Sequence, residues 1–225
     1  MGFHRGPKVV TDGLVLYLDA ANTKSYPGTG TGWNDLSGNG NNGTLVNGPT
    51  FDSANNGSIV FDGANDYVNT GLLFDKEDFT YAAWFNRNGG LGYRSIVNSF
   101  DGSSVEWANI GLSNNTLSFA VDNNNIKVDL FGSSIQNNTW YYMVGVWIQN
   151  TGSMKVYLNA ILDAQATHPN KSTIIAKNPE RIGCRADKIT EVFDGKITMP
   201  KVYNRALTPE EILQNYNSTK SRFNL

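Results

Sequence analysis

The chain is poor in the residues from which most chemical sites are built. Its 225 residues include one cysteine, Cys184, and two histidines, His4 and His168. A single thiol forms no intrachain disulfide, so no covalent framework holds the fold. Following Ile182-Gly183, Cys184 reads as a small buried hydrophobe. The two histidines, both expected to be solvated, supply neither a zinc cluster nor the positioned base of a Ser-His-Asp set. No apolar run approaches the ~20 residues that cross a membrane as a helix. A formal net charge of −2 leaves no basic field for nucleic acid. There is no P-loop or dinucleotide fingerprint. Residues 1–10, MGFHRGPKVV, lack the apolar core of an export signal.

Asparagine is what the chain has in excess, with 29 copies beside 23 glycines. Both tolerate positive φ, the requirement of tight turns. They lie between short apolar runs of period two, the pattern of many short strands in a sandwich or barrel. The length suits one large all-β domain. The expected division is a basic tail, residues 1–11, and a domain over 12–225. The tail is either a frayed end or a docking peptide for a larger assembly.

Residues 14–18, LVLYL, read as a central strand covered on both faces. An insert rich in Gly, Asn, Asp and Ser comes next and contains Trp33-Asn-Asp-Leu-Ser-Gly-Asn-Gly-Asn-Asn-Gly43. It folds on its own side-chain-to-backbone bonds or wraps a Ca²⁺. In residues 79–85, Phe79, Tyr81, Ala83 and Phe85 share one face. In residues 139–147, Trp140, Tyr142, Val144 and Val146 oppose Tyr141, Met143 and Trp147, which places that strand mid-sheet. Trp84, Trp140 and Trp147 read as core. Thr208-Pro-Glu-Glu211 is a capping box opening one helix, with Ile212, Leu213 and Tyr216 as its apolar stripe.

Together these segments resemble a family. DGLVLYLDAAN, WNDLSGNGNNG, FDGANDYV, WYYMVGV, VYLN, FDGKI and VYNRALTPEEI, in this order, are similar to the laminin-G-like jelly rolls of the concanavalin A-like lectin/glucanase superfamily. The resemblance runs from about residue 12 to 216. It implies two antiparallel sheets face to face, first and last strands adjacent, a carbohydrate- or protein-binding role, and often a structural Ca²⁺. The wording of residues 16–45 further resembles domains in tailed-bacteriophage structural proteins. That implies a fibre, tail or capsid decoration, assembled in the host cytoplasm and displayed on the virion. It also implies other virion subunits as partners, a surface glycan or protein receptor, and homo-oligomers.

Glycoside hydrolases of that superfamily need two carboxylates about 5–5.5 Å apart for retention. No strand here carries such a set: Glu106 stands alone, Glu191 and Asp194 have the wrong spacing for one face, and Glu210 and Glu211 cap the helix. The expectation is therefore a non-enzymatic module. Candidate ligand-stacking rings are the loop aromatics Tyr26, Trp33, Tyr93, Phe100 and Trp107. Tyr93 leads, since it lies in the glycine-rich tip NGGLGYR. Candidate Ca²⁺ ligands are Asp19, Asp35, Asp62, Asp66 and Asp194, with Asp19 and Asp194 expected at one end of the sandwich; each also has a role as turn former.

Overall fold

The computed structural model describes residues 8–100, 106–186 and 189–225. In chain order its strands are β1 (Leu14–Tyr17), β2 (Gly32–Trp33), β3 (Gly43–Val46), β4 (Thr50–Asp52), β5 (Ser58–Asp62), β6 (Tyr67–Thr70), β7 (Phe79–Arg87) and β8 (Tyr93–Asn98). Then come β9 (Glu106–Ser113), β10 (Thr116–Asn123), β11 (Ile126–Ser134), β12 (Trp140–Ile148), β13 (Ser153–Leu158), β14 (Ile161–Thr167), β15 (Arg181–Ile182) and β16 (Asp194–Tyr203). One α-helix, α1 (Pro209–Asn217), and a 3-10 turn, Lys220–Phe223, end the chain.

Asparagine makes the turns. Of the twelve non-glycine residues with positive φ among the described residues, nine are Asn. Asn124-Asn125 joins β10 to β11 with both φ positive, the geometry whose twist matches the flanking strands.

The strands form two antiparallel sheets packed as a jelly-roll sandwich. The first has the order β14-β13-β12-β7-β16-β5-β4, with β1 beside β16; the second has the order β11-β10-β9-β8-β15-β6-β3-β2. First and last strands are thus adjacent. β1 has only β16 as neighbour, which corrects the central position expected for residues 14–18. Its apolar side chains are covered because it lies between the two cores, not because strands flank it on both sides.

The main core fills the space between sheets. Phe79, Tyr81, Ala83 and Phe85 of β7 and Met143 and Trp147 of β12 meet Ala108, Ile110 and Leu112 of β9 and Leu117, Phe119 and Val121 of β10. Each fully buried side chain of Val to Phe size contributes ~1.5–3 kcal/mol. At Gly145 a Cβ would fall 2.6 Å from Ile110 Cγ2, so β12 and β9 approach where only glycine fits.

A second core lies on the outer face of the first sheet. Trp84, Tyr142, Val144, Val146 and Tyr203 are covered by Leu207, Ile212 and Phe223. Helix α1 begins as the sequence requires. Thr208 Oγ1 accepts from the Glu211 amide, Glu211 Oε2 accepts from the Thr208 amide at 2.9 Å, and Pro209 opens the first turn. Such a cap contributes ~1 kcal/mol. Leu213 is nevertheless 48 % exposed, while Asn215 is buried in its stead. Asn215 Oδ1 accepts from the Val10 amide at 2.8 Å, and Nδ2 donates to Tyr203 Oη at 3.0 Å. The helix rotates to satisfy that polar pair. Residues 8–11 of the tail are thereby fastened to the sandwich; residues 1–7 lie outside the described residues.

His168 is buried too, against its expected exposure. Its Nε2 donates to the Ile126 carbonyl at 2.8 Å and the Asn170 amide donates to its Nδ1 at 3.0 Å, which latches β11 to the segment after β14.

Candidate functional site

Among the described residues no helix lies over the outer face of the second sheet. Strands β9, β10 and β11 alternate strictly there: Ala108, Ile110 and Leu112 point into the core, so Trp107 and Asn109 point outward. Pairing sets outward residues into rows. Trp107 lies opposite Asp122, which lies opposite Lys127; Asn109 lies opposite Ala120, which lies opposite Asp129. Ala120 is the only small side chain in these two rows. It forms the floor of a cleft of ≈160 Å³ lined by Tyr93, Phe100, Trp107, Asn109, Lys127 and Asp129, among others.

The walls are aromatic. Phe100 and Trp107 are tilted against each other with ring centroids 4.6 Å apart. Tyr93 keeps 37 % of its surface exposed. Lys127 Nζ lies 5.4 Å from the Tyr93 ring and 5.5 Å from the Trp107 ring, and Arg185 Cζ lies 3.9 Å from Phe100. These are cation–π distances.

Charges at the rim are matched. Lys127 pairs with Asp129 Oδ2 at 2.9 Å and Arg185 with Glu191 Oε1 at 3.6 Å. Ser95 Oγ donates to Glu191 Oε2 and accepts from Asn98 Nδ2; Asn98 Oδ1 accepts from the Phe100 amide. This chain of bonds fixes the Phe100 wall. Glu191 has φ of 54°, a strained setting for a non-glycine residue of the kind that clusters at binding sites. Two oxygens on the floor stay unpartnered among the described residues: Asn109 Oδ1 and Asp129 Oδ1, both buried. Burial raises the pKa of neighbouring Asp122, opposed by the His168 and Lys127 charges.

Of the five aromatics expected to stack on a ligand, Tyr93, Phe100 and Trp107 converge here. Trp33 and Tyr26 do not: they are 0 % and 4 % exposed in the main core. Trp33 pins its loop beneath β3, and Tyr26 packs on Phe51 with its hydroxyl donating to the Gly30 carbonyl. Asn109, Lys127, Asp129 and Arg185 were not expected. The signal for the first three was alternation: each sits two residues from, or directly across from, an outward residue of a strand with an apolar inner face.

The five aspartates do not assemble a common ion site. Asp35 Oδ1 accepts from the Tyr17 and Ser37 amides, and Oδ2 from Ser37 Oγ and the Asn41 amide. Asp19 pairs with Arg222 at 2.9 Å. Register places Leu18 at Pro200 and so Asp19 near Met199, whereas Asp194 lies opposite Asp62 at the far end of β16. Asp19 and Asp194 are thus ~15 Å apart along the strand, contrary to their expected approach. Asp62 and Asp66 share the turn near Asp194, where Asp62 Oδ1 accepts from the Ala64 and Asn65 amides and Asp194 Oδ1 from Asn88. Burial raises the Asp66 pKa. Among the described residues no three carboxylate, imidazole or thiol groups are placed to hold a metal, so the donor set does not fit Ca²⁺ coordinated by these side chains.

The fold and this face define a lectin-type sandwich. The chain belongs to the concanavalin A-like lectin/glucanases superfamily, whose laminin-G model matches residues 62–213. No curated protein sequence matches it. Its fold is similar to the binding domain of Paraclostridial Mosquitocidal Protein 1 (TM-score 0.73, 19 % identity, 92 % of this chain and 52 % of that one). It is also similar to the binding domain of botulinum neurotoxin DC in complex with SialylT (TM-score 0.72, 15 % identity, 93 % and 52 %). Domain 4 of AbnA, a GH43 extracellular arabinanase from Geobacillus stearothermophilus, solved in complex with arabinotriose, gives a TM-score of 0.71 at 16 % identity over 90 % of this chain and 98 % of that one. This chain spans about half the length of the two toxin binding domains.

Proposed function

We propose that the protein is a non-enzymatic saccharide-binding module and that the cleft over Ala120 is its binding site. The observation that carries this reading is the convergence of Tyr93, Phe100 and Trp107 on one sheet face with two oxygens that have no partner among the described residues. Aromatic rings receive the C–H faces of sugars, and a few placed polar atoms fix orientation. Complexes of similarly folded domains with SialylT and arabinotriose support the ligand class. The absence of catalysis is supported by the rim carboxylates: Asp129 and Glu191 are each held in an ion pair, whereas a general acid must be free to keep and give a proton.

The proposed setting is a virion, where the module rides on a fibre, tail or capsid as an adhesive subunit, in copies, beside other virion proteins. The wording of residues 16–45 supports it. A decoration that contacts only other subunits is the competing role. Binding of the purified chain to a glycan array tests the reading, with Trp107→Ala as control. Saturable binding abolished by Trp107→Ala is expected. Failure of the folded protein to bind any glycan overturns the reading and leaves the decoration role. Release of reducing sugar from a bound glycan overturns the non-enzymatic assignment.

A further inference from the structure

Building on the saccharide reading, we infer that the cleft selects neutral glycans over acidic ones, with Asn109 as the specificity-determining acceptor. The cleft's charges are already committed. Lys127 and Arg185 face Asp129 and Glu191 in two pairs, so among the described residues the rim brings two positive and two negative charges. Asp122, one row along the same face, adds a further carboxylate whose Oδ1 is buried without a partner among the described residues. An entering carboxylate must therefore break an existing ion pair to find a cation.

What the floor offers instead is acceptors. Asn109, 5 % exposed, and Asp129 each present a buried oxygen with no donor among the described residues. They flank Ala120 on adjacent strands. A buried acceptor left unmatched is costly, so it discriminates strongly for a ligand that brings a donor. A sugar hydroxyl does so; a carboxylate does not. Cationic ligands are disfavoured as well, because Lys127 Nζ already lies 5.4 Å from the Tyr93 ring and 5.5 Å from the Trp107 ring and repels a second positive charge. A polyhydroxylated, uncharged ring is the chemistry left.

The experiment is an array of neutral glycans printed beside their sialylated counterparts, probed with the full chain. The best pair is then titrated, with Asn109→Leu, Asn109→Asp and Asp129→Asn. Melting curves establish that each variant is folded. The expected result is neutral binding weakened tenfold or more by sialylation. Asn109→Leu, which keeps shape and removes the acceptor, should cost about tenfold in affinity, one hydrogen bond's worth. Asn109→Asp, which keeps an acceptor, should restore most of it. Asp129→Asn releases Lys127 and should narrow the gap between neutral and sialylated ligands; this arm stands if Asn109→Leu does not fold. Equal or tighter binding of the sialylated partner overturns the inference and leaves saccharide binding intact. Unchanged affinity in Asn109→Leu overturns the role of Asn109. No binding to any glycan overturns the saccharide reading and this inference with it.

Discussion

On the first sheet Trp84 and Tyr142 point outward and are wholly buried; on the second Trp107 and Tyr93 also point outward, and Tyr93 keeps 37 % of its surface in solvent. Both faces are built from strands of alternating aromatic and small residues. The difference lies in the C-terminal segment, which covers one face and not the other. Helix α1 and the turn after it lay Tyr216 and Phe223 over Trp84, with ring centroids 5.5 and 4.2 Å away. Trp84 Nε1 donates to Thr219 Oγ1 at 2.9 Å. No such segment covers Tyr93 among the described residues, and Trp107, 7 % exposed, is screened by Phe100 and Lys127 alone of the groups placed against its ring there. Whether an outward aromatic becomes core or platform is thus decided by the covering segment, not by the strand that carries it.

Removing the cover should have the largest effect. Phe223→Ala deletes a ring stacked on Trp84 and 4.6 Å from Trp140, and should destabilise the protein by ~3 kcal/mol or more. Denaturant melts measure this. Glycan binding at the far sheet should survive at temperatures where the variant is folded; coupled loss of both would mean that the two faces are not independent.

The cover also traps a cation. Lys201, on β16, is wholly buried over the Tyr17 ring. Burial pushes its pKa down to about 7, against the pull of Asp19. Unfolded, the group titrates near 10.4. Between those values the unfolded chain binds the extra proton, so this group's penalty is full below pH 7 and is relieved as pH rises toward 10. Lys201→Met should therefore stabilise the protein by ~1–4 kcal/mol at pH 6, with the gain shrinking by pH 10. A gain independent of pH would mean that packing, not desolvation, is responsible.

On the second sheet Trp107→Ala should also destabilise the protein, by ~3 kcal/mol, because Trp107 is only 7 % exposed and packs against Phe100. Its effect on binding should be total. A stability loss well below that of Phe223→Ala would show that the Trp107 ring contributes less packing than its burial implies.

These contrasts mark how far the sequence could be read. The sandwich was legible, because period-two patterns in β7 and β12 sorted Phe79, Tyr81 and Phe85 from Trp84 and Tyr142 without any knowledge of partners. The capping box placed α1. The final turn was not legible: residues 218–225 show no period, and the value of Phe223 lies in one long-range contact. Half of the site was legible for a similar reason. Tyr93, Phe100 and Trp107 stood out as loop aromatics, but so did Tyr26 and Trp33, and composition cannot tell a ring that lines a cleft from one that anchors a loop. Asn109 and Asp129 were hidden because an ordinary polar residue on a strand gains meaning only when Ala120 lies between the two.

The aspartates extend the contrast to the loops, and the smallest effect expected is that of a chelator. A Ca²⁺ held at a hundred times its Kd would add ~2.7 kcal/mol, which for a chain of this size shifts Tm by several degrees. If side-chain bonds rather than an ion hold the loops, EDTA should move Tm by less than about 1 °C. Asp35 supplies the positive control. Its carboxylate already accepts from two amides of the loop, from Tyr17 of β1 and from Ser37 Oγ. Asp35→Ala should therefore cost ~2–3 kcal/mol by leaving those donors unmatched, and the loss should be the same with and without Ca²⁺. A loss present only with Ca²⁺, together with a large EDTA shift, would reassign Asp35 from the hub of a turn to a metal ligand.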